Sequence, residues 1–143
     1  MKIAVVYWSG TGNTKAMAES MLDGAKAAGA ETDIYSVDQF SADKMDSYDG
    51  FLFGCSAMGC EVLEEAEFEP FFQEAENKIA NIPVGLFGSY GWGSGEWLQD
   101  WHQRCKEHGA KVYKDGVMIN NTPDADGLKE CQDFAQSFVK ENF

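Results

Sequence analysis

Four short apolar runs, at 3–8, 51–55, 84–87 and 112–119, set the tightest limit on what this chain folds into. None alternates apolar with polar residues as a strand with one wet face would, and the first reads Ile3-Ala4-Val5-Val6-Tyr7-Trp8 without a break. Such runs suit strands buried on both faces, and a sheet covered on both faces is a parallel sheet with helical crossovers. The fourth run is interrupted by Lys114-Asp115-Gly116, and a weaker run at 32–37 suits an edge strand.

Helical patterns fill the intervals. The first runs from 13 to about 28, with Met17, Met21, Leu22 and Ala25 on one stripe and Gly29 as its stop. In the second, Phe68, Phe72, Ala75 and Ile79 keep helical spacing, and Pro70 must lie in the first turn because proline is tolerated only at a helix start. Trp97, Leu98, Trp101 and Cys105 mark a third helix ended by Gly109; Leu128, Cys131, Phe134, Ala135, Phe138 and Val139 mark the last. The order β-α-β-β-α-β-α-β-α predicts an α/β fold: a five-stranded parallel sheet of order 2-1-3-4-5, with helices on both faces. At 143 residues, 44% of them hydrophobic, the chain has room for one such sheet, and a single domain over 1–143 is expected.

A formal net charge of −13, from 24 acidic and 11 basic residues, speaks against nucleic acid or an anionic membrane as partner and for basic proteins. The apolar stretch after Lys2 is too short for a secretory signal or a membrane span, so a cytoplasmic protein is expected. Cys55, Cys60, Cys105 and Cys131 form no Cys-x-x-Cys pair and keep no metal spacing with histidine, which predicts reduced thiols and no metal. His102 and His108 read as solvated.

Ligands of open parallel sheets bind outside the carboxyl ends of the strands where the strand order reverses, here between strands 1 and 3. The loops at that place are Ser9-Gly10-Thr11-Gly12-Asn13-Thr14 and Ser56-Ala57-Met58-Gly59-Cys60-Glu61, with 89–95 after the fourth strand. Two glycines, three hydroxyls, an amide and a helix directly behind them make the first loop a phosphate cradle that needs no lysine or arginine. It is neither a Walker loop nor the dinucleotide fingerprint, since Lys15 stands where the third glycine belongs; a capped helix after a polar turn is the plainer alternative. Tyr90 and Trp92 sit in a glycine-rich loop and either stack on a ring system or pack the loop itself.

Three segments carry a resemblance: Tyr7-Trp8-Ser9-Gly10-Thr11-Gly12-Asn13-Thr14, Gly54-Cys55-Ser56-Ala57-Met58-Gly59 and Leu86-Phe87-Gly88-Ser89-Tyr90-Gly91-Trp92-Gly93. In this order they resemble the FMN loops of short-chain flavodoxins of the clostridial type, and the likeness extends over the whole chain. It implies a flavodoxin-like three-layer sandwich. It also implies a low-potential one-electron carrier with non-covalent FMN, cycling mainly between neutral semiquinone and hydroquinone, without substrate turnover of its own. By this resemblance Ser9, Thr11, Asn13, Thr14 and Ser56, with the backbone of Gly10 and Gly12, bind the phosphate. Met58, Gly59, Cys60 and Glu61, following Ala57, line the flavin ring; Trp92 stacks on its outer face, and Ser89, Tyr90 and Gly91 lie along its edge. Glu61 resembles the carboxylate that accepts from the flavin N3–H. The Gly59–Cys60 peptide resembles the one that turns its carbonyl towards N5 on reduction, in a type II′ turn over 58–61.

Cys60 departs from the aspartate or small polar residue common at its position in this group. The acidic run Glu61, Glu64, Glu65, Glu67 and Glu69 is either a solvated face or a docking surface near the flavin, used by a monomer towards ferredoxin-type reductases and oxidoreductases. An FMN-dependent reductase, the enzymatic rival, requires space above the ring for substrate and nicotinamide. A phosphoacceptor receiver requires aspartates at the ends of strands 1 and 3, where this chain has Trp8-Ser9 and Cys55-Ser56.

Overall fold

In the computed structural model, which describes residues 1–59 and 61–143, strand β1 (Lys2–Trp8) leads into helix α1 (Asn13–Ala27) and strand β2 (Glu31–Ser36). Two short helical turns connect β2 to β3 (Gly50–Cys55), followed by α2 (Phe68–Ala75), β4 (Pro83–Tyr90) and α3 (Glu96–Glu107). The chain ends with β5 (Lys111–Val112), β6 (Val117–Asn120) and α4 (Ala125–Asn142). Every pairing is parallel, in the order β2-β1-β3-β4 with β5 and β6 both beside β4. The expected order holds, with the fifth strand delivered in two pieces. The first pairs with Pro83 and Val84, the second with Phe87 through Tyr90. The break falls on Lys114-Asp115-Gly116, where Lys114 and Gly116 have φ of 49° and 87°. A side chain at 116 would come within 2.5 Å of the Leu86 carbonyl, so glycine lets the strand rejoin the sheet.

Apolar residues on both faces of each strand feed two cores. Ala4, Val6, Phe51, Phe53, Val84 and Leu86 pack with Phe68 and Phe72 of α2 and Trp97 and Trp101 of α3. Ile3, Val5, Leu52 and Phe87 pack with Met17 and Met21 of α1 and Cys131 and Phe138 of α4. Burying a large apolar side chain contributes roughly 1.5–3 kcal/mol, and both faces need such residues, which is why the strands read as continuous apolar runs.

Helix α2 begins at Phe68, and Pro70 lies in its first turn. Its N-terminus is held from outside by Glu64, whose buried carboxylate accepts the N–H groups of Ala66, Glu67 and Phe68 at 2.8, 2.7 and 3.0 Å. Burial disfavours the charge on Glu64, but these three donors outweigh it and hold the carboxyl below the ordinary glutamate range. Arg104 of α3 binds both oxygens of Glu69 at 2.8 Å and also Glu76, with its guanidinium 5.0 Å from the centre of the Phe72 ring. The two histidines are partly exposed, and His108 Nδ1 lies 2.9 Å from the Arg104 carbonyl. Cys55, Cys105 and Cys131 are buried free thiols, each pushed up to about 12 by burial. Among the described residues there is no cluster able to hold a metal ion, and no helix is long and apolar enough to cross a membrane.

Candidate functional site

The first loop is built for a helix start that faces open space. Ser9 Oγ accepts the Gly12 N–H at 3.0 Å, and Gly12, at φ 96°, turns the chain into α1. No heavy atom lies within 4 Å of the place a Cβ on Gly12 would occupy. The first N–H groups of α1 have no partner inside the helix, and its first turn carries no acidic residue, so the positive end of the helix dipole is uncompensated there.

Thr14, one residue into the helix, is fully buried. Its Oγ1 lies 2.7 Å from Ser56 Oγ and 3.3 Å from Ser89 Oγ, and it accepts the Ser89 N–H at 3.2 Å. One hydroxyl thus pins together the start of α1, the loop after β3 and the end of β4. The Ala57 N–H adds a bond to the Ser89 carbonyl at 3.0 Å.

Beyond Ala57 the chain makes a small hairpin. Met58 and Val62 exchange both backbone hydrogen bonds, at 2.9 and 3.0 Å, and enclose 59–61 with φ of 51° at Gly59 and 54° at Glu61. The closing pair is therefore 58 with 62, one residue wider than a turn over 58–61. Cys60 lies outside the described residues. Glu61 reaches across to the next loop, where its Oε1 accepts the N–H groups of Gly95 and Glu96 at 3.0 and 3.1 Å.

Between these loops lies a groove lined by Trp8, Gly10, Thr11, Asn13, Ser56, Ala57, Met58, Ser89, Tyr90, Gly91 and Asn121. It contains no charged side chain. Ser9, Gly12 and Thr14 stand behind this lining and hold its shape; Gly59, Glu61 and Trp92 lie outside it. Trp92 is 65% exposed. Tyr90 packs at 5.6 Å on the ring of Trp97, whose indole N–H donates to the Cys55 carbonyl at 3.1 Å.

Two lining residues, Trp8 and Asn121, are absent from the set read from the sequence. Asn121 sits at φ 58° just after β6 and donates its N–H to the Tyr90 carbonyl at 2.8 Å. The polar turn Asn120-Asn121-Thr122-Pro123, at the carboxyl end of the fifth strand, is the signal that points to it. The acidic run divides: Glu61 caps α3, Glu64 caps α2 and Glu69 is held by Arg104, which leaves Glu65 and Glu67 exposed and, among the described residues, free of such duties.

An uncharged groove over the carboxyl ends of β1, β3 and β4, lined by apolar and aromatic surface with a few hydroxyl and amide groups and with a helix N-terminus opening onto it, defines a doubly wound α/β protein suited to a phosphate-bearing ligand. The sequence profile of the Flavodoxin family matches residues 5–134. The flavodoxin of Clostridium beijerinckii is 42% identical over 135 residues, which cover 94% of this chain and 97% of that protein. The flavodoxin of Megasphaera elsdenii is 44% identical over 138 residues, covering 96% and 98% respectively. The solution structure of two-electron reduced Megasphaera elsdenii flavodoxin superposes with a TM-score of 0.86 at 45% identity, over 96% of this chain and 98% of that one. This chain belongs to the flavodoxin family. Flavodoxins are FMN-binding electron carriers that pass electrons to redox partners.

The groove fits that cofactor. A phosphate dianion needs donors, and the start of α1 with Thr11, Asn13 and Ser56 offers neutral ones. A flat ring needs apolar and aromatic surface, which Trp8, Met58 and Tyr90 supply.

Proposed function

We propose that the chain is a low-potential one-electron carrier that holds one FMN non-covalently in this groove. The observation that carries the reading is the uncharged lining, with a helix N-terminus at the phosphate end and an exposed tryptophan beside it. The phosphate is held by Ser9, Gly10, Thr11, Gly12, Asn13, Thr14 and Ser56. Thr14 takes part through its backbone and through the orientation it gives Ser56, because its hydroxyl is spent inside the protein. Ala57, Met58, Gly59 and Glu61 border the ring, with Cys60 among them by its place in the loop; Ser89, Tyr90 and Gly91 follow its edge and Trp92 covers its outer face. Bound FMN supplies the redox chemistry, passing mainly between its one-electron and two-electron reduced forms.

The protein sets the conditions. With no cation in the lining and a net charge of −13, added negative charge in the groove is poorly compensated, which lowers the potential of the last electron. Exposed carboxylates of Glu65, Glu67, Glu96 and Asp100 attract basic faces of redox proteins such as ferredoxin-type reductases and oxidoreductases. The carrier acts as a monomer in the cytoplasm, as one domain, and performs no substrate turnover.

Stepwise reduction of the FMN-loaded protein, followed by absorbance, tests the reading. Two separated one-electron steps are expected. A protein that fails to bind FMN, or one that oxidises NADH or NADPH steadily by itself, refutes it; the second result favours an FMN-dependent reductase.

A further inference from the structure

The segment 91–95 carries Trp92 between the end of β4 and the start of α3, and glycines at 93 and 95 have φ of 93° and 90°. Helix α3 has no side-chain cap of its own at Gly95. Its first donors are taken instead by Glu61, from a hairpin more than thirty residues earlier in the chain. Among the described residues, the Gly95 N–H bond to Glu61 is the hydrogen bond that ties 91–95 to another loop.

The surroundings are shaped around this contact. A Cβ at position 93 would stand 2.5 Å from the Glu61 carboxyl carbon, so glycine there is what admits the carboxylate. Glu61 itself holds φ 54°, a left-handed conformation that costs a non-glycine residue free energy. That conformation is fixed by the Met58–Val62 closure, and it aims the side chain at α3. A charged acceptor at a helix N-terminus, taking two N–H donors, is a strong form of cap.

We propose that Glu61 is a positioning residue for the Trp92 side of the groove: by capping α3 it ties the loop carrying Trp92 to the 58–62 hairpin, so that the two move as one piece. A planar ring held between Met58 and Trp92 is then gripped by a linked pair of loops rather than by two independent ones. The consequence for the cofactor rests on the FMN assignment made above; the tether itself does not.

The test uses the full chain, with and without FMN, carrying Glu61→Ala, Glu61→Gln or Gly93→Ala. Amide hydrogen exchange at Gly95 and Glu96 is measured in the FMN-free protein, and FMN dissociation constants by fluorescence titration. Removing a charged acceptor from two backbone donors is expected to speed exchange at both amides about tenfold or more in Glu61→Ala. Glu61→Gln keeps an oxygen acceptor in the same place and restores exchange to within about threefold of the parent. Gly93→Ala behaves like Glu61→Ala although Glu61 is still present, because the new methyl group displaces the carboxylate. Because Glu61 also borders the ring, the dissociation constant for FMN is read in Gly93→Ala, which keeps residue 61, and it rises together with the exchange rates. Unchanged exchange in Glu61→Ala, or no restoration in Glu61→Gln, overturns the tether even if FMN binds normally. Exchange that responds as expected in a protein that binds no FMN leaves the tether standing and overturns the cofactor assignment. Exchange that responds while the FMN affinity of Gly93→Ala stays that of the parent shows that the tether does not position the ring, and overturns the proposal in that form.

Discussion

Replacing Thr14 by valine deletes one hydroxyl and leaves the shape of the side chain almost unchanged, so any loss is a polar one. The structure gives its size. Ser56 is half-buried and can turn its hydroxyl to water, and the Ser89 hydroxyl still has Ser56 Oγ at 3.5 Å. The Ser89 N–H has neither escape, because the residue is 5% exposed and the N–H is aimed at the lost oxygen. A buried donor left without a partner costs about 1–3 kcal/mol. We therefore expect Thr14→Val to lose about 2 kcal/mol, or about 4–8 °C in Tm for a chain of this length. Urea and thermal unfolding of the FMN-free protein measure this directly. FMN binding should also weaken, since Ser56 lines the groove and loses the neighbour that orients it. Thr14→Ser is the control: it keeps the hydroxyl, sheds one methyl group, and should lose only about 0.8 kcal/mol. The reasoning fails if valine stays within about 0.5 kcal/mol of the parent, or if serine is the more damaging change.

Gly12→Val should weaken FMN binding well beyond Thr11→Ser, as read by fluorescence titration, because Gly12 holds φ 96° in open space and the penalty is one of backbone conformation. Gly59 sits at φ 51° with nothing near its would-be Cβ, so Gly59→Ala should cost about 1 kcal/mol in hairpin conformation alone. In a redox titration of that variant the two one-electron potentials should move closer together while FMN stays bound. For Glu64, whose folded-state pKa is depressed, stability is fully present above the unfolded value of about 4.3 and is lost as pH falls through the folded one. Acid unfolding of Glu64→Gln should accordingly show a shallower decline below about pH 4 than the parent, from a lower starting stability. Association with a basic redox partner should slow as salt rises, mainly in the association rate, and a Glu65→Gln, Glu67→Gln double variant should show a weaker salt dependence in stopped-flow measurements.

The sheet was legible because its signal is local and repeated. Each strand buries both faces, so each writes an unbroken apolar run, and the helices between them carry the 3.6-residue stripe that one buried face demands. Even the split in the fifth strand was visible, since Lys114-Asp115-Gly116 is too polar to lie in a covered sheet. The cap of α2 was less so: Pro70 lies in the first turn as expected, but the cap is supplied by Glu64 from outside rather than by the residue next to the helix.

The site divides along the same line. The open helix start after β1 could be read because glycine, hydroxyl and helix start are neighbours in sequence. The residues that hold it in place could not, because their partners are 42 and 75 positions away: nothing near Thr14 in the sequence distinguishes a hydroxyl facing a ligand from one facing Ser56 and Ser89. The acidic run misleads for the same reason. Five glutamates in nine residues look like a charged surface, yet three are occupied by α2, α3 and Arg104, which the sequence places after them. Two of those three are helix caps, and a carboxylate at a helix N-terminus lowers the energy of the fold whether or not a partner ever docks. Of the run, the proposed docking surface therefore keeps only the exposed Glu65 and Glu67 beside the hairpin, with Glu96 and Asp100 of α3. A small number of exposed charges next to the groove suits a carrier that must meet its partners quickly and leave them again, since such charges raise the rate of encounter far more than they strengthen the final complex.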